Sequence, residues 1–439
     1  MYVEPGKFRN LFLAAIALVL SQPVLAAVKI EHWQTGSGAA VYFVENRGLP
    51  IVDISIEFAA GSARDSEVKA GLSAITRHMM TTGAGGMSEE EISKHLADVG
   101  AVLSGEHDLD RAGFRLRTLS KSPERERALE VFGRIVQQPD FSEAILQREK
   151  TRVIAGLREA ATKPDVIADE AFMKAVYGSH PYGFESTPES VAAIQREDLV
   201  QFYRTYYGAG NATIALIGDL SRAEAETIAE RLTADLPKAP VPPALPAAEP
   251  PLQAQEQRIE HPASQSHILI GYPGMRRGDP DYFPLYVGNY ILGGGGFVSR
   301  LTTEVREKRG LVYSVYSYFM PMAAEGPFQI GLQTKKEQSE EALQVVRDTL
   351  KTFVEKGVTE AELKAAKQNL IGGFPLRLDS NAKILDYLAV IGFYRLPLSY
   401  LEDFSREVDK VTAAQIRDAF SRRIHPDRMV TVIVGAAQK

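Results

Sequence analysis

Two stretches of the chain share one pattern of polar and apolar positions. Ile194 to Leu220 reads IQREDLVQFYRTYYGAGNATIALIGDL, and Val411 to Ala437 reads VTAAQIRDAFSRRIHPDRMVTVIVGAA. In each, apolar residues recur three and four apart, which predicts an amphipathic helix. A polar loop follows, then a β-branched, apolar run that predicts a buried strand, Thr213–Ile217 or Val430–Val434, ending at Gly218 or Gly435. Each half opens with another strand, Val52–Phe58 or His267–Tyr272, followed by a long helix. The recurrence reads as a faint internal duplication.

Other elements follow from local chemistry. Ser88-Glu-Glu-Glu91 opens a helix that runs through Val99, with Ser88 as N-cap, Glu91 completing a capping box and Gly100 ending it. Ser122–Gln138 and Ser339–Lys356 have helical periodicity, and their charges read as solvated faces. Ser299–Arg309 has helix-forming composition with cations in its last turn, and Gly310 is a natural left-handed C-cap. Leu311–Tyr318 then alternates as a strand. Between the halves, seven prolines crowd residues 237–251 among many alanines. That composition predicts an extended, semi-rigid linker at 237–256 that stays out of any core.

Composition adds bounds. The 439 residues allow two to four domains, and 45% hydrophobic with 24% charged residues is ordinary for a soluble globular chain. A net charge of -6 gives no basic field for nucleic acid. With no cysteine, disulfides, thiolate metal sites and cysteine catalysis are excluded. At the N-terminus, Lys7 and Arg9 precede the apolar run Leu11–Leu20, then Val24-Leu25-Ala26-Ala27. This is the pattern of a secretory signal peptide cleaved after Ala26, and the run is short for a membrane span. It predicts a mature protein exported to a bacterial periplasm. The expected organisation is a signal at 1–26, one domain at 27–236, the linker at 237–256 and a second domain at 257–439.

Candidate chemistry centres on Gly61 to Met80, GSARDSEVKAGLSAITRHMM. This resembles the metal-binding helix of the M16 peptidases, the inverzincin or pitrilysin-like family, which place H-x-x-E-H here. Two His at i and i+4 share a helix face and grip one zinc, while the Glu acts on a metal-bound water. The five positions here are Ala74, Ile75, Thr76, Arg77 and His78. Only the second His remains, and Arg77 puts a permanent cation where the base would stand. The family's third ligand is a Glu on a later helix, matched by Arg148–Asp165. Counting back from Pro164 puts that ligand position at Gly156. A lone His78 supplies one of the three protein ligands a catalytic zinc needs, and it also reads as a polar helix residue with an ordinary hydrogen bond. No zinc is expected in this chain.

The second half carries ILGGGGFVSRLTTEVREKRGLVYSVYS, Ile291 to Ser317, which closely resembles the family's glycine-rich loop, helix and strand. The resemblance implies that Arg306 and Tyr313 face a zinc across a cavity, hold the substrate backbone and stabilise the developing oxyanion. A guanidinium and a phenol that converge on one point are chemically suited to that. Read without the resemblance, Arg306 pairs with a surface carboxylate and Tyr313 is a half-buried strand residue. Gly293, Gly294, Gly295 and Gly296 lack the spacing of a phosphate loop. The resemblance implies substrate handling, and the residue type alone implies a turn of close backbone approach.

The remaining candidates read as structural. Glu106, His107, Asp108 and Asp110 predict a solvated strand edge, since alternation sends neighbours to opposite faces. His180-Pro181-Tyr182-Gly183 reads as a structural loop, and His261 and His425 lack ligand spacing. The resemblance implies an α+β fold of two homologous domains, each a mostly antiparallel sheet packed with helices (LuxS/mitochondrial processing peptidase-like). It further implies the non-zinc subunit of a heteromeric M16B-type peptidase, with zinc and H-x-x-E-H in a homologous sister chain and a peptide as substrate. The alternative is a non-catalytic scaffold or peptide-binding protein that keeps the fold, as core subunits of respiratory complexes resemble the family. A stand-alone hydrolase ranks last, for want of G-x-S-x-G, cysteine or a metal set.

Overall fold

This computed structural model describes residues 29–435, so the expected signal at 1–26 lies outside it. The first half contributes β1 (Glu31–Gln34), β2 (Ala40–Glu45), β3 (Ile51–Phe58), β4 (Gly83–Ala84), β5 (Met87–Ser88), β6 (Val102–Ser104), β7 (Ala112–Leu119) and β8 (Ala212–Gly218). The second contributes β9 (Gln255–Ile259), β10 (Gln265–Met275), β11 (Val312–Phe319), β12 (Gly326–Lys335) and β13 (Val430–Val434). One sheet runs β1-β2-β8-β3-β7-β6, the other β11-β12-β10-β13-β9, and β4 and β5 form a small hairpin.

The duplication reads directly in the pairing. β8 lies antiparallel to β3 and parallel to β2. β13 lies antiparallel to β10 and parallel to β9 in the same way. The halves therefore do not open on Val52–Phe58 and His267–Tyr272 as expected: β1 and β2 precede the one, and β9 precedes the other. β1 and β9 are short, part-exposed edge strands, so they carry little apolar signal, whereas the buried run of β2 was a readable one.

Each half lends a helix to the other's sheet. Pro164–Tyr177 packs on β10 and β13, burying Phe172, Met173 and Val176 against Leu269, Val432 and Val434. Asn381–Phe393 packs on β3 and β8, burying Ile384, Leu385 and Leu388 against Val44, Ala215 and Ile217. Burying one such side chain contributes roughly 1.5–3 kcal/mol. Covered on both faces, β8 and β13 are buried throughout, which explains their continuous apolar runs. Gly392 allows the close approach, because a Cβ there would come within 2.6 Å of Thr213 Cγ2.

A polar junction also joins the halves. Asp110 accepts from Tyr182 Oη at 2.5 Å, from Tyr394 Oη at 2.8 Å and from the Ala323 amide at 2.8 Å. Tyr182 Oη in turn accepts from the Ala324 amide at 3.0 Å. Asp110 is buried, which corrects the expectation of a solvated edge. Burial raises its pKa, and its donors oppose that shift. Beside it, the buried Glu57 pairs with Arg111 and Arg115, and Arg115 also reaches Asp386 of the second half.

The proline-rich stretch is not free of the core either. Ala248 is buried with Leu245 beside it, against the exchanged helix and β13. Its backbone is pinned as well: Pro243 O accepts from Arg64, Pro246 O lies 3.0 Å from His180 Nε2, and the Ala248 amide donates to Glu325. Proline removes amide donors but leaves carbonyls, and two of these carbonyls are used. Strand β9 begins at Gln255, inside the stretch expected to be linker.

Candidate functional site

The helix Leu72–Met79 is anchored at its start by Asp65, whose carboxylate accepts the Gly71 and Ser73 amides at 2.8 Å each. An acid at a helix N-terminus answers its free amides and dipole. Burial nonetheless pushes Asp65 up to about 7, with those amides opposing. In the same first turn, Ser73 Oγ donates to Ala60 O at 2.5 Å and lies 2.9 Å from His107 Nε2. A hydroxyl that donates elsewhere must accept here, so Nε2 carries the His107 proton.

Arg77, at the position of the family's general base, is turned into the sheet. Its guanidinium stacks 5.1 Å from the Phe114 ring centroid, and Nε donates to Gly113 O at 3.3 Å. Gly105 makes the space, since a Cβ there would overlap the Arg77 guanidinium. Burial lowers the Arg77 pKa from its usual high value. A cation so placed cannot accept a proton from water.

His78 faces the helix Glu143–Ala160. Its Nε2 lies 3.0 Å from Glu149 Oε2 and 3.2 Å from Arg152 Nη2. One nitrogen cannot both donate to the carboxylate and accept from the guanidinium. Arg152 is already engaged by Glu149, through Nε at 2.8 Å and Nη2 at 2.7 Å, and Arg148 Nε adds a contact at 2.9 Å. The consistent assignment has Nε2–H of His78 donating to Glu149. The Glu149 side chain is 5% exposed. Burial works to raise its pKa, but the Arg152 and Arg148 hydrogen bonds outweigh that and hold it below the usual carboxylate range. Guanidinium charge thus neutralises the carboxylate at this site.

Gly156 lies seven residues beyond Glu149 on the same helix, two turns along one face. A Cβ there would meet nothing within 4 Å. Ala74 and Gly156 offer no donor, and His78 is committed to Glu149. Among the described residues no group of three or more His, Asp or Glu is arranged for a metal. These residues do not fit a catalytic zinc. Glu149 was missed from the sequence, although its seven-residue spacing from Gly156 was a usable signal.

The second region is built differently. Thr302–Glu307 is wound wide, with Lys308 N bonded to Thr303 O five residues back. Gly310, at φ +63°, turns the chain into β11. A bulge between Val312 and Ser314 breaks the expected alternation at Tyr313, a residue that is 82% exposed. Arg306 lies 5.2 Å from the Tyr313 ring centroid and 4.9 Å from that of Phe297. Its nearest carboxylate is its neighbour Glu307, at 3.8 Å. Among the described residues, neither the Arg306 guanidinium nor the Tyr313 hydroxyl makes a hydrogen bond.

The structure therefore brings Arg306 and Tyr313 together with their donors free. The glycine run permits close packing. Gly293 sits against Ser317, whose amide a Cβ would approach to 2.6 Å, while the Asn289 side chain pairs with Ser317 O and Oγ. Gly296, at φ +61°, then lifts Phe297 and Val298 outward. Phe297, 71% exposed, was not anticipated. A large apolar residue directly after four glycines was the available sign.

Residues 41–186 match the family described as Insulinase (Peptidase family M16), and residues 193–370 match Peptidase M16 inactive domain. A solved structure from Pseudomonas fluorescens, titled as a peptidase M16 inactive domain, superimposes with a TM-score of 0.90. It is 41% identical, over 93% of this chain and 98% of that one. The "Non-peptidase homolog YmxG" of Helicobacter pylori is 25% identical, covering 94% of this chain and 96% of its own. The "Uncharacterized zinc protease YmxG" of Bacillus subtilis is 25% identical, covering 81% and 86%.

Proposed function

The chain belongs to the M16 peptidase family, and we propose that it works as the zinc-less subunit of a two-chain M16B-type peptidase. The observation that carries this reading is a contrast in one chain. The zinc-helix positions are filled by internal partners, while part-buried Arg306 and exposed Tyr313 stand together, without hydrogen bonds among the described residues. A homologous sister chain supplies H-x-x-E-H, the distal Glu and the zinc. Zinc held by that chain would supply the activation of water for hydrolysis of a peptide bond.

This chain's own residues act from the opposite side. The Arg306 guanidinium and Tyr313 hydroxyl donate to the substrate backbone and to the oxyanion that forms at the scissile carbonyl. Their rings and planes are held by mutual stacking, so the donors are oriented before substrate arrives. Gly293, Gly294, Gly295 and Gly296 let an extended peptide run close to the backbone beside them. Substrates are peptides or unfolded segments. The signal-like N-terminus supports action in a bacterial periplasm, and among the described residues no helix is long and apolar enough to cross a membrane.

The test pairs this chain with an M16 chain from the same organism that carries H-x-x-E-H. The mixture is expected to bind zinc in the sister chain and cleave peptides, while this chain alone does neither. Full activity of the sister chain alone would overturn the reading. The name of the Helicobacter pylori relative favours a second reading, a non-catalytic scaffold or peptide-binding protein. It predicts a stable complex or peptide affinity with no dependence of turnover on Arg306 or Tyr313.

A further inference from the structure

A cavity of about 290 Å³ lies beside the helix Tyr282–Asn289, away from every residue discussed as a candidate site. Tyr282, Phe283, Leu396, Pro397 and Tyr400 form its apolar walls, and Arg277 enters it. Among small-molecule sites this is a compact one, sized for a single residue-like group.

The charges of the lining do not balance locally. Asp279 is held by Arg423 at 2.6 Å, Asp403 by Arg406 at 2.6 Å and by Ser399, and Glu407 by Lys410 at 2.8 Å. Each acid therefore has its cation. Arg277 is part-buried and has no carboxylate partner among the described residues. Its Nε is buried without a hydrogen-bond partner, and its guanidinium stacks 5.2 Å from the Tyr394 ring centroid. Stacking engages the guanidinium face and leaves its in-plane N–H donors open. A cation taken from water without a partner is costly, and a bound anion would repay that cost.

Two phenols complete the donor set. Tyr400 Oη donates to Tyr282 Oη at 3.4 Å, which leaves the Tyr282 proton free. Burial raises both hydroxyls above their ordinary range, and Arg277 opposes the shift in each. Both phenols therefore stay protonated at neutral pH, near the same guanidinium. One unpaired cation, one free hydroxyl donor and an apolar wall describe a receptor for an anion with a greasy body. We propose that this pocket binds a carboxylate carried on an aromatic or aliphatic group, either the C-terminal residue of a peptide or a free acid of that shape.

Calorimetric titration of the purified full chain tests this with three probes: 3-phenylpropionate, a short peptide ending in Phe with a free carboxylate, and the same peptide as its amide. The free carboxylate is expected to bind on the order of 10–100-fold more tightly than the amide, as a charge-assisted contact requires. Arg277→Gln should bring the acid down to the level of the amide, Arg277→Lys should keep part of the preference, and Phe283→Ala should weaken all binding. Tighter binding of the peptide acid assigns the site to peptide C-termini; equal or tighter phenylpropionate binding assigns it to free acids. Equal affinity for acid and amide in the wild type overturns the proposal without any variant. So does absence of binding at about millimolar probe, or an unchanged acid preference in folded Arg277→Gln.

Discussion

Around His78 the polar groups have found partners inside the chain, whereas around Arg306 the donors remain open to the outside. In the first region Arg77 docks against Phe114, and Glu149 holds His78 and two arginines. In the second, a guanidinium lies between two exposed rings with only a distant carboxylate. The difference teaches that the positions matching the family's metal site are not merely vacant here but filled. A buried carboxylate that loses a nearby metal needs other positive charge, and Arg148 and Arg152 provide it. Their presence would also repel an incoming divalent cation. The filled region is chemically closed, and the open one retains donors suited to a carbonyl oxygen.

The strongest way to break this contrast is to remove the open donors. In the proposed two-chain enzyme, Arg306→Ala is expected to lower kcat by roughly 10²–10³-fold, the loss typical of one oxyanion donor. Tyr313→Phe keeps the ring stacked on Arg306 and deletes only the hydroxyl, so it should cost less, about 10-fold or more. Steady-state kinetics on a peptide substrate reads both. If kcat holds in both variants while the complex still forms, the open donors are not used in turnover.

The next largest effect concerns the frame that holds both regions. Asp110→Ala strands Tyr394 Oη and the Ala323 amide of the second half, together with Tyr182 of the first. The expected loss of stability is about 3 kcal/mol, read by denaturant unfolding. If Asp110 joins the halves as one cooperative body, the unfolding midpoint falls and the transition stays single. A split into two transitions would mean the regions unfold on separate frames.

Some of this was legible from residue order. β8 and β13 could be read because a strand covered on both faces must be apolar throughout, and the capping box at Ser88 formed as expected. Gly310 was readable because left-handed backbone favours glycine. The exchange of helices was not. An apolar stripe such as Phe172-Met173-Val176 demands a cover but does not say whose sheet supplies it. Asp110 was misread for the same reason: its partners lie 72, 213 and 284 residues away, and no local pattern encodes them. The bulge at Tyr313 is one residue long, so it hid within an otherwise regular alternation. That Ala74 and Gly156 bring no ligand atom and Arg77 no basic carboxylate was plain, because an absent donor atom needs no structure to establish it.

Gly105→Ala sharpens the account of the filled region. The added methyl would overlap the Arg77 guanidinium and approach Gly113 O to 2.6 Å. The expected cost is about 2 kcal/mol, as for other overpacked sites. Adding Arg77→Ala should recover part of it, because the Gly113 carbonyl remains close. Thermal melts of the three variants measure the coupling. Strict additivity would mean that Arg77 is not seated against Gly105.

The smallest expected effect tests the anchor of that same helix. The folded Asp65 carboxyl titrates at about 7 against an ordinary 3.8, because burial outweighs the amides it accepts. Between those values the folded chain holds a proton that the unfolded chain has released. The stability from this group is therefore complete at low pH and declines as pH rises to about 7. Asp65→Asn cannot ionise, so it lacks this dependence while keeping one oxygen for the helix amides. The stability difference between wild type and variant should move against wild type by roughly 1–2 kcal/mol from pH 4 to pH 8, less than the full shift because sites relax around a charge. Parallel stability curves across that range would place the ionised carboxylate comfortably at the helix start. The filled region would then be held by its charges alone, with no cost in burying them.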